Sequence, residues 1–379
     1  MMKKILLITA GDFTHTGGIE RYDSILFKIL REKYVNYSID VILTGYDKSN
    51  KVNGNANVIY ARKVSSTKNN FLNYLHLFTD VFAIRHFFNT HYNEYKLILD
   101  ASRIGFPKAK KLDNYYLIQH FDLLKYYIGV YSKKPSFHDA LIKIIRKILQ
   151  NNNFLKLIKN IIVFDEVIKD TIQKYNPNIN IIVISLPSFI GSTPVKELSE
   201  FNKKHRIIFL GRLSTEKNIS ALIKINNSLN LIDFYGKPDG INGENYKNTL
   251  IQNNWYKGII TNPEELKDTL QKYKFMILYS VSEGFPFSLV ESLSQGLPII
   301  VKNTFLSASY LCTSETGLLL PESTNLDEDI KNIENFFSMS DEKYHEFQIN
   351  CVNFYNKNLS MEQFEQKWLN IFDRYLERE

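Results

Sequence analysis

The hydrophobic pattern of the chain alternates between short apolar runs and segments with helical spacing. Apolar runs without polar alternation, such as KILLIT at 4–9, are typical of parallel strands that are buried on both faces. Helical spacing follows the first run, at 19–30, and returns at 71–88. Strands of the first half are predicted at 4–9, 38–43, 56–61, 96–100, 115–118, 160–164 and 180–185.

The second half repeats this alternation after a polar segment at 191–204. Its predicted strands lie at 206–211, 229–235, 274–279 and 297–301, and a helix begins at Ile219. A chain of 379 residues is long enough for two α/β domains. We therefore predict domains at 1–190 and 205–360, a linker at 191–204 and a last helix within 361–379, with an apolar stripe. The stripe consists of Phe364, Trp368, Ile371, Phe372 and Tyr375.

The stretch 282–301, SEGFPFSLVESLSQGLPIIV, joins two predicted strands through a turn and a helix. Glu283 precedes the turn, and Glu291 follows eight positions later on the helix. In a parallel sheet this loop lies at the carboxyl edge, where such folds bind ligands. The free amides of the helix start favour a phosphate, and a carboxylate can accept both protons of a diol. The alternative is that Glu283 only complements the helix start and Glu291 lies on a solvated face.

A second candidate loop follows the strand at 206–211. Arg212 and Lys217 lie five positions apart on a loop that opens a helix, so they could contact both phosphates of a nucleotide diphosphate. Solvated surface charges are the alternative. In the first half, Gly17 and Gly18 follow the first strand, and His120 directly follows the strand at 115–118. Plain turn glycines and an ordinary histidine are the alternatives there, and His15 is a weaker candidate than His120.

Charge is distributed unevenly along the chain. The formal net charge of +7 divides into +12 for residues 1–190 and −5 for residues 191–379. The segment 137–162 combines apolar helical spacing with basic residues, which fits either core-facing helices with solvated lysines or binding to an anionic membrane surface, and the +12 charge of the first half favours the membrane surface. We predict no nucleic-acid binding, because no nucleic-acid module is recognisable. The residues predicted to face the membrane are Lys143, Arg146, Lys147, Lys156 and Lys159.

Cysteine content and apolar run length bear on the compartment. Two cysteines without metal or disulfide spacing fit a reducing cytosol. No run of 18 apolar residues exists, and the N-terminal apolar run is too short for a signal peptide. A cytoplasmic protein, peripheral on the inner face of the membrane, is therefore expected.

Taken in order, these motifs resemble those of GT-B glycosyltransferases, in particular the large retaining family 4. The resemblance covers nearly the whole chain: Gly17 and Gly18, His120, Gly-Arg then Glu-Lys at 211–217, and Glu-Gly-Phe with a second glutamate at 283–291. It implies two Rossmann-like domains that face across a cleft, with the last helix crossing back to the first domain. This chain departs from the family pattern at Pro286, at 186–188 and at 236–240, where the family is richer in glycine.

The resemblance also implies an activity and a role for each motif. The activity is metal-independent, retaining transfer of a hexosyl group from a nucleotide diphosphate sugar, with a UDP-sugar favoured, to a hydroxyl of a glycan or lipid-linked acceptor in bacterial surface polysaccharide or glycoconjugate synthesis. Arg212 and Lys217 would stabilise the leaving diphosphate, Glu291 would hold the ribose, and His120 would contact the sugar or acceptor. Gly17 and Gly18 would lie beside the donor phosphates. Glu283 would orient the donor sugar together with Gly284 and the amides of Phe285, Phe287, Ser288 and Leu289.

Two other functions fit the same residues. A nucleotide-sugar epimerase can use the same fold, and it would change the donor without an acceptor. A catalytically silent partner subunit would bind a glycosyltransferase or a glycan, but it would not need Arg212, Lys217, Glu283 and Glu291.

Overall fold

The computed structural model divides into two compact units. Unit 1 comprises residues 1–184 and 365–379, and unit 2 comprises residues 185–364. The structure describes residues 3–9, 18–43, 57–61, 70–102, 106, 109, 112–120, 158–200 and 204–378.

Unit 1 contains a parallel sheet whose strand order is β3-β2-β1-β4-β5-β6-β7. Its central strands are mostly apolar and mostly buried, as the lack of polar alternation in the sequence predicts. The strands are β1 (Lys3–Thr9), β2 (Tyr37–Leu43), β3 (Asn57–Ala61), β4 (Tyr95–Asp100), β5 (Tyr115–Ile118), β6 (Asn160–Val163) and β7 (Asn180–Val183). The helices of its described N-terminal part are α1 (Gly18–Lys33), α2 (Asn70–His91) and α3 (Glu166–Tyr175).

Unit 2 contains a second parallel sheet, in the order β10-β9-β8-β11-β12-β13. Its strands are β8 (Lys204–Leu210), β9 (Ile232–Tyr235), β10 (Tyr256–Gly258), β11 (Tyr273–Leu278), β12 (Ile299–Lys302) and β13 (Gly317–Leu320). Its helices are α4 (Ile219–Leu229), α5 (Gly243–Gln252), α6 (Pro263–Gln271), α7 (Phe287–Ser294), α8 (Ala308–Leu311), α9 (Leu326–Phe337) and α10 (Asp341–Asn358). The last helix, α11 (Met361–Phe372), begins in unit 2 and belongs mostly to unit 1.

Several helices of unit 2 begin at a capping side chain. The side chain of Asn325 accepts a hydrogen bond from the amide of Glu328, and the carboxylate of Glu328 in turn accepts one from the amide of Asn325. Ser340 caps α10, and Asn262 caps α6 ahead of Pro263. Each such cap stabilises its helix by about 1 kcal/mol, because it satisfies an amide without an intrahelical partner.

The strand predicted at 229–235 is shorter in the structure, because the preceding helix extends through Leu229. Asn230 ends α4 in the left-handed conformation, with a φ of 50°, and donates its N–H to the Asn226 carbonyl at 2.8 Å. The side chain of Asn226 then pairs with the backbone of Ile232 through two hydrogen bonds of 2.7 and 3.0 Å. Leu229 therefore ends the helix, and the strand begins only at Ile232.

The segment predicted as a linker, 191–204, packs on unit 2 in its described part. Thr193 is buried and donates its hydroxyl to the side chain of Gln295 at 2.6 Å. A three-ten helix, Val195–Glu200, follows, and its Leu198 lies against Gly296. Gly296 has a φ of +64°, and an added Cβ would lie 2.6 Å from the Leu198 side chain, so glycine is required there.

The C-terminal residues complete the core of unit 1. Trp368 is fully buried, and its ring lies 6.4 Å from that of Tyr22 on α1. Tyr34 donates its hydroxyl to Asp373 at 2.6 Å, and Tyr116 lies within hydrogen-bonding distance of Tyr375 at 3.1 Å. Truncating a buried tryptophan of this kind costs about 3–5 kcal/mol, so α11 is a structural part of this unit.

Among the described residues, the structure contains no helix that is both long and apolar enough to cross a membrane.

Candidate functional site

The strand order of unit 2 reverses between β8 and β11, which are neighbours in the sheet. From β8 the chain continues to β9 on one side, and from β11 it continues to β12 on the other. The loops after β8 and β11 therefore leave the same carboxyl edge in opposite directions. Open parallel sheets bind ligands at such a reversal point, and both candidate loops of the second half begin there.

The β8–α4 loop, residues 211–218, is held against the loop that follows β9. The amide of Leu213 donates to the Lys237 carbonyl at 2.8 Å, and the amide of Asp239 donates to the Leu213 carbonyl at 3.2 Å. Gly236 has a φ of +157°, and a Cβ on it would lie 1.7 Å from the Gly211 carbonyl oxygen. The two backbones thus approach so closely that only glycine fits at 236.

Arg212 projects from this loop and pairs with two carboxylates. Its guanidinium donates through Nη1 to Asp239 and through Nη2 to Glu216 at 3.0 Å. Burial lowers the pKa of Arg212, but Glu216 and Asp239 more than offset that effect, so its pKa lies above the ordinary value. All three side chains are about half exposed, so water screens these ion pairs.

Lys217 and Glu283 meet between the two loops. The ammonium of Lys217 donates to Oε1 of Glu283, and both side chains are largely buried, at 14% and 10% exposed. Ser280 donates its hydroxyl to the same carboxylate oxygen at 2.6 Å. Two residues that the sequence predicts for a donor site are therefore brought into direct contact, and a buried serine holds one of them.

The β11–α7 loop, residues 279–286, is fixed from several sides. The hydroxyl of Thr304 donates to the Ser280 carbonyl at 2.5 Å, and that of Ser307 donates to the Gly284 carbonyl at 3.1 Å. The amide of Val281 donates to the Glu216 carbonyl at 2.8 Å, which ties this loop to the β8–α4 loop. Glu283 is thus held by backbone as well as side-chain contacts.

Helix α7 begins at Phe287, and its first turn faces this carboxyl edge. Pro286 is the N-cap residue, and its carbonyl accepts from the amides of Leu289 at 3.2 Å and Val290 at 3.4 Å. The predicted Leu289 amide is therefore engaged within the helix. The amides of Phe287 and Ser288 make no hydrogen bond with any described residue, as is usual for a first turn. They leave positive partial charge at this end of α7.

Glu291 lies in the buried part of α7, with 2% of the residue exposed. The alternative of a solvated helix face is therefore wrong for this carboxylate. Its main-chain carbonyl accepts the hydroxyl of Ser294 at 2.7 Å. Phe285, beside Gly284, is also buried, and its ring lies 6.4 Å from that of Tyr310.

In unit 1, His120 follows β5 at the carboxyl edge and is enclosed by other side chains. Its ring stacks edge-on against Tyr22 at 4.7 Å, and Nε2 lies 3.7 Å from Oδ1 of Asp23. The other carboxylate oxygen of Asp23 accepts the hydroxyl of Thr9, at the end of β1. The His120 side chain is only 3% exposed, so the structure places it beside a buried carboxylate.

Other predicted residues of unit 1 are partly outside the described residues. Gly18 is exposed and begins α1, whereas Gly17 and His15 lie outside the described residues.

Of the basic residues predicted to face a membrane, only Lys159 is described. The prediction of a helix there is wrong, because Lys159 lies in the turn before β6 and donates to Asp113 at 2.6 Å. The apolar residues that follow Lys159 belong to the buried strand β6, and apolar spacing alone does not distinguish such a strand from a helix end. The others, Lys143, Arg146, Lys147 and Lys156, fall outside the described residues.

Sequence reasoning missed three side chains of these sites: Ser280, Asp239 and Asp23. Asp239 follows β9, so only the strand order brings it to Arg212, whereas Ser280 lies three positions before Glu283 in the same loop. In the sequence, Asp239 is indicated only by the segment 236–240, which contains less glycine than the family pattern. In the part of the chain that the structure describes, no three His, Cys, Asp or Glu side chains cluster as metal ligands would.

Comparison with known proteins defines the class of this fold. The structure superimposes on sucrose-phosphate synthase from Thermosynechococcus elongatus with a TM-score of 0.75, 14% identity and 98% of both chains covered. It also matches the pneumococcal O-GlcNAc transferase GtfA in complex with UDP and GlcNAc, with a TM-score of 0.53 and 16% identity over 76% of this chain and 59% of that one. The fold is that of the GT-B glycosyltransferases.

Residues 194–351, less than half of the chain, match the model of the family described as "Glycosyl transferases group 1", in agreement with the resemblance predicted from the motifs. A UDP-N-acetylglucosamine–peptide N-acetylglucosaminyltransferase GtfA subunit, from Limosilactobacillus reuteri subsp. suis, is 33% identical over 147 residues. That match covers 35% of this chain and 28% of the length of the relative.

Proposed function

We propose that this chain transfers a sugar from a UDP-sugar to a hydroxyl of a glycan or lipid-linked acceptor, with retention at the anomeric carbon as in family 4. UDP-N-acetylglucosamine is the first donor to test, because it appears in the name of the Limosilactobacillus relative. The observation that carries the proposal is the convergence of Arg212, Lys217 and Glu283 at the strand reversal of unit 2.

The chemistry begins with the diphosphate. Breaking the bond from sugar to diphosphate leaves negative charge on the departing group, and nearby cations stabilise that charge most when they are already in place. Lys217 is largely buried and Arg212 lies on the same loop, so the two cations can meet the two phosphates. The amides of Phe287 and Ser288 add positive partial charge at the start of α7. These groups are proposed to do what a divalent metal does in other transferases.

The carboxylates are proposed to orient the donor. Glu283, held by Ser280 and Lys217, would accept hydrogen bonds from hydroxyls of the sugar. Glu291 would accept from the ribose hydroxyls, for which a buried carboxylate without competing water is suited. For His120 of unit 1, the proposed role is a contact to the transferred sugar or the acceptor, with Asp23 fixing its ring.

The setting of the reaction is also a proposal. The uneven charge, +12 in residues 1–190 and −5 in the rest, favours a cytoplasmic protein that binds reversibly to an anionic membrane face, where a lipid-linked acceptor would be presented. Synthesis of bacterial surface polysaccharide or glycoconjugates fits such an acceptor. The pairing of Lys159 with Asp113 leaves this role to the other basic residues of the segment.

A panel of nucleotide sugars tests the proposal. Thermal unfolding is measured with UDP-, GDP-, ADP- and dTDP-sugars, each at about one hundred times a typical micromolar Kd, where a ligand of the folded state stabilises by about 2.7 kcal/mol. We expect UDP-sugars, and UDP-N-acetylglucosamine among them, to raise the midpoint, with or without a chelator. Stabilisation by none of the four classes would contradict the proposal, as would conversion of the donor to its C2 epimer without transfer.

A further inference from the structure

The two cations of the candidate site are outnumbered by the carboxylates that contact them. Arg212 pairs with Asp239 and Glu216, and Lys217 pairs with Glu283. With two positive and three negative groups, the cluster carries a formal charge of −1. A site for a diphosphate is expected to carry positive charge, so at least one carboxylate opposes the ligand.

Asp239 is the one carboxylate of the Arg212 pairs that a different segment of the chain holds in place. It belongs to the loop after β9, and its amide donates to the Leu213 carbonyl at 3.2 Å. Pro238 forms a parallel bridge with Leu213, and a Cβ on Gly243 would lie within 3.0–3.1 Å of Pro238 and the Leu213 carbonyl. This backbone pairing fixes Asp239 beside the guanidinium. Glu216, by contrast, is four residues from Arg212 on the same loop.

A phosphate and Asp239 would compete for the same donor. Arg212 uses Nη1 for Asp239 and Nη2 for Glu216, so a phosphate oxygen that takes either amino group must displace or share a carboxylate. The Arg212 and Asp239 side chains are 56% and 45% exposed, and an ion pair so exposed contributes little stability, so the exchange is easy.

We propose that Asp239 sets the affinity for the nucleoside diphosphate, by holding Arg212 in competition with it and by adding a negative charge beside it. This inference rests on the proposed function, since it concerns the same cations. It gives a role to a residue of the 236–240 loop, where the chain departs from the glycine-rich pattern of the resembling family. A bound diphosphate is released more readily because Asp239 can replace it as the partner of Arg212.

The test compares UDP binding by calorimetry to the wild type, Asp239→Asn and a control, Asp268→Asn. Asp268 is an exposed residue of α6 in the same unit, so its substitution changes net charge equally. We expect Asp239→Asn to lower the Kd for UDP about two- to fivefold at low ionic strength, the range that exposed ion pairs support. The gain should shrink in 1 M salt, where the screening length is about 3 Å, and the control should bind as the wild type does.

The outcomes separate the inference from the proposed function. If the wild type binds UDP and Asp239→Asn binds it equally or more weakly, Asp239 orients Arg212 for the ligand and the inference is overturned. An equal gain in Asp268→Asn would also overturn it, because net charge alone would then explain the effect. If the wild type binds no nucleoside diphosphate, the proposed function itself fails. Circular dichroism of each variant verifies that the fold is intact.

Discussion

Lys217 and Glu283 form an ion pair in unit 2 although 66 positions separate them in the sequence. They follow β8 and β11, which are adjacent parallel strands at the reversal of the sheet. Under the proposed function, one loop would bring a cation to the diphosphate while the next would bring a carboxylate to the sugar. It also means that a substitution of either residue alters the charge environment of the other.

Ser280 is expected to position Glu283. Its hydroxyl donates to the Glu283 carboxylate at 2.6 Å, and a hydrogen bond to a charged group contributes about 1.5–3 kcal/mol. Ser280→Ala should lower kcat about tenfold with little change in the donor KM, as measured in steady-state transfer assays. Ser282→Ala, a partly exposed neighbour in the same loop, is the matched control. A loss of stability without a change in kcat would show that Ser280 is merely structural.

The two glutamates should differ in the kinetic constant that they affect. Glu291→Gln should mainly raise the donor KM, because ribose contacts persist from the ground state to the transition state. Glu283→Gln should lower kcat more, since it also removes the charge that pairs with Lys217. Initial rates over a range of donor concentrations separate the two effects. Equal effects of both variants, confined to KM, would refute this division of roles.

Much of the fold could be predicted from local pattern alone. The strand at 115–118 is predicted to the residue, and 4–9 and 38–43 each miss by one, because buried parallel strands are short apolar runs with polar boundaries. The error at 229–235 arose where an apolar helix end adjoins a strand, and apolar content cannot distinguish the two. Helices α9 and α10 were missed although Asn325 with Glu328, and Ser340, mark their starts.

The candidate site could be predicted only for residues that belong to contiguous motifs. Such a motif contains each of the four predicted residues Arg212, Lys217, Glu283 and Glu291. Lys217 and Glu283 contact each other across the two loops, and Arg212 contacts Glu216 within its own loop. The contacts of Arg212 with Asp239 and of His120 with Asp23, by contrast, depend on how elements that are distant in the sequence pack together. Asp239 reaches Arg212 because β9 lies beside β8, and Asp23 reaches His120 through a helix packed on the sheet. No local pattern encodes such long-range pairing.

Asp100 makes the stability of unit 1 depend on pH. Burial raises the pKa of this carboxyl to about 6, while hydrogen bonds from Ser102 and Tyr115 oppose the rise. The folded chain therefore binds a proton at Asp100 more tightly than the unfolded chain does, in which the pKa of an Asp is about 3.9. Protonation of Asp100 thus contributes stability that is fully present below pH 4 and is lost as the pH rises through about 6. A shift of about two pKa units corresponds to about 3 kcal/mol.

The measurement compares denaturant unfolding of the wild type with that of Asp100→Asn at several pH values. Between pH 4 and 7, the free energy of unfolding of the wild type should fall by about 3 kcal/mol relative to the variant. If the free energies of unfolding of the two proteins differ by the same amount at every pH in this range, Asp100 does not titrate there. Such a difference would report only the altered hydrogen bonds to Ser102 and Tyr115.

Membrane binding should depend on four basic residues outside the described part of the chain, namely Lys143, Arg146, Lys147 and Lys156. Changing these four to glutamine should release the protein from sedimenting anionic vesicles at low salt, since each basic residue near the surface contributes about 1 kcal/mol. Lys159→Gln alone should have little effect, because Asp113 already pairs with Lys159. Neutral vesicles are the control. Wild-type protein that ignores anionic vesicles at low salt would contradict the proposed location.

The turnover of donor by variants of Arg212 and Lys217 tests the central claim most directly. Each cation is proposed to stabilise charge that develops on the departing diphosphate, so Arg212→Ala and Lys217→Ala should each lower kcat at saturating UDP-sugar by about 10²-fold or more. Lys224→Ala, an exposed lysine of α4 in the same unit, should keep wild-type turnover. Near wild-type kcat in both Arg212→Ala and Lys217→Ala would contradict the assignment of these two residues to the diphosphate.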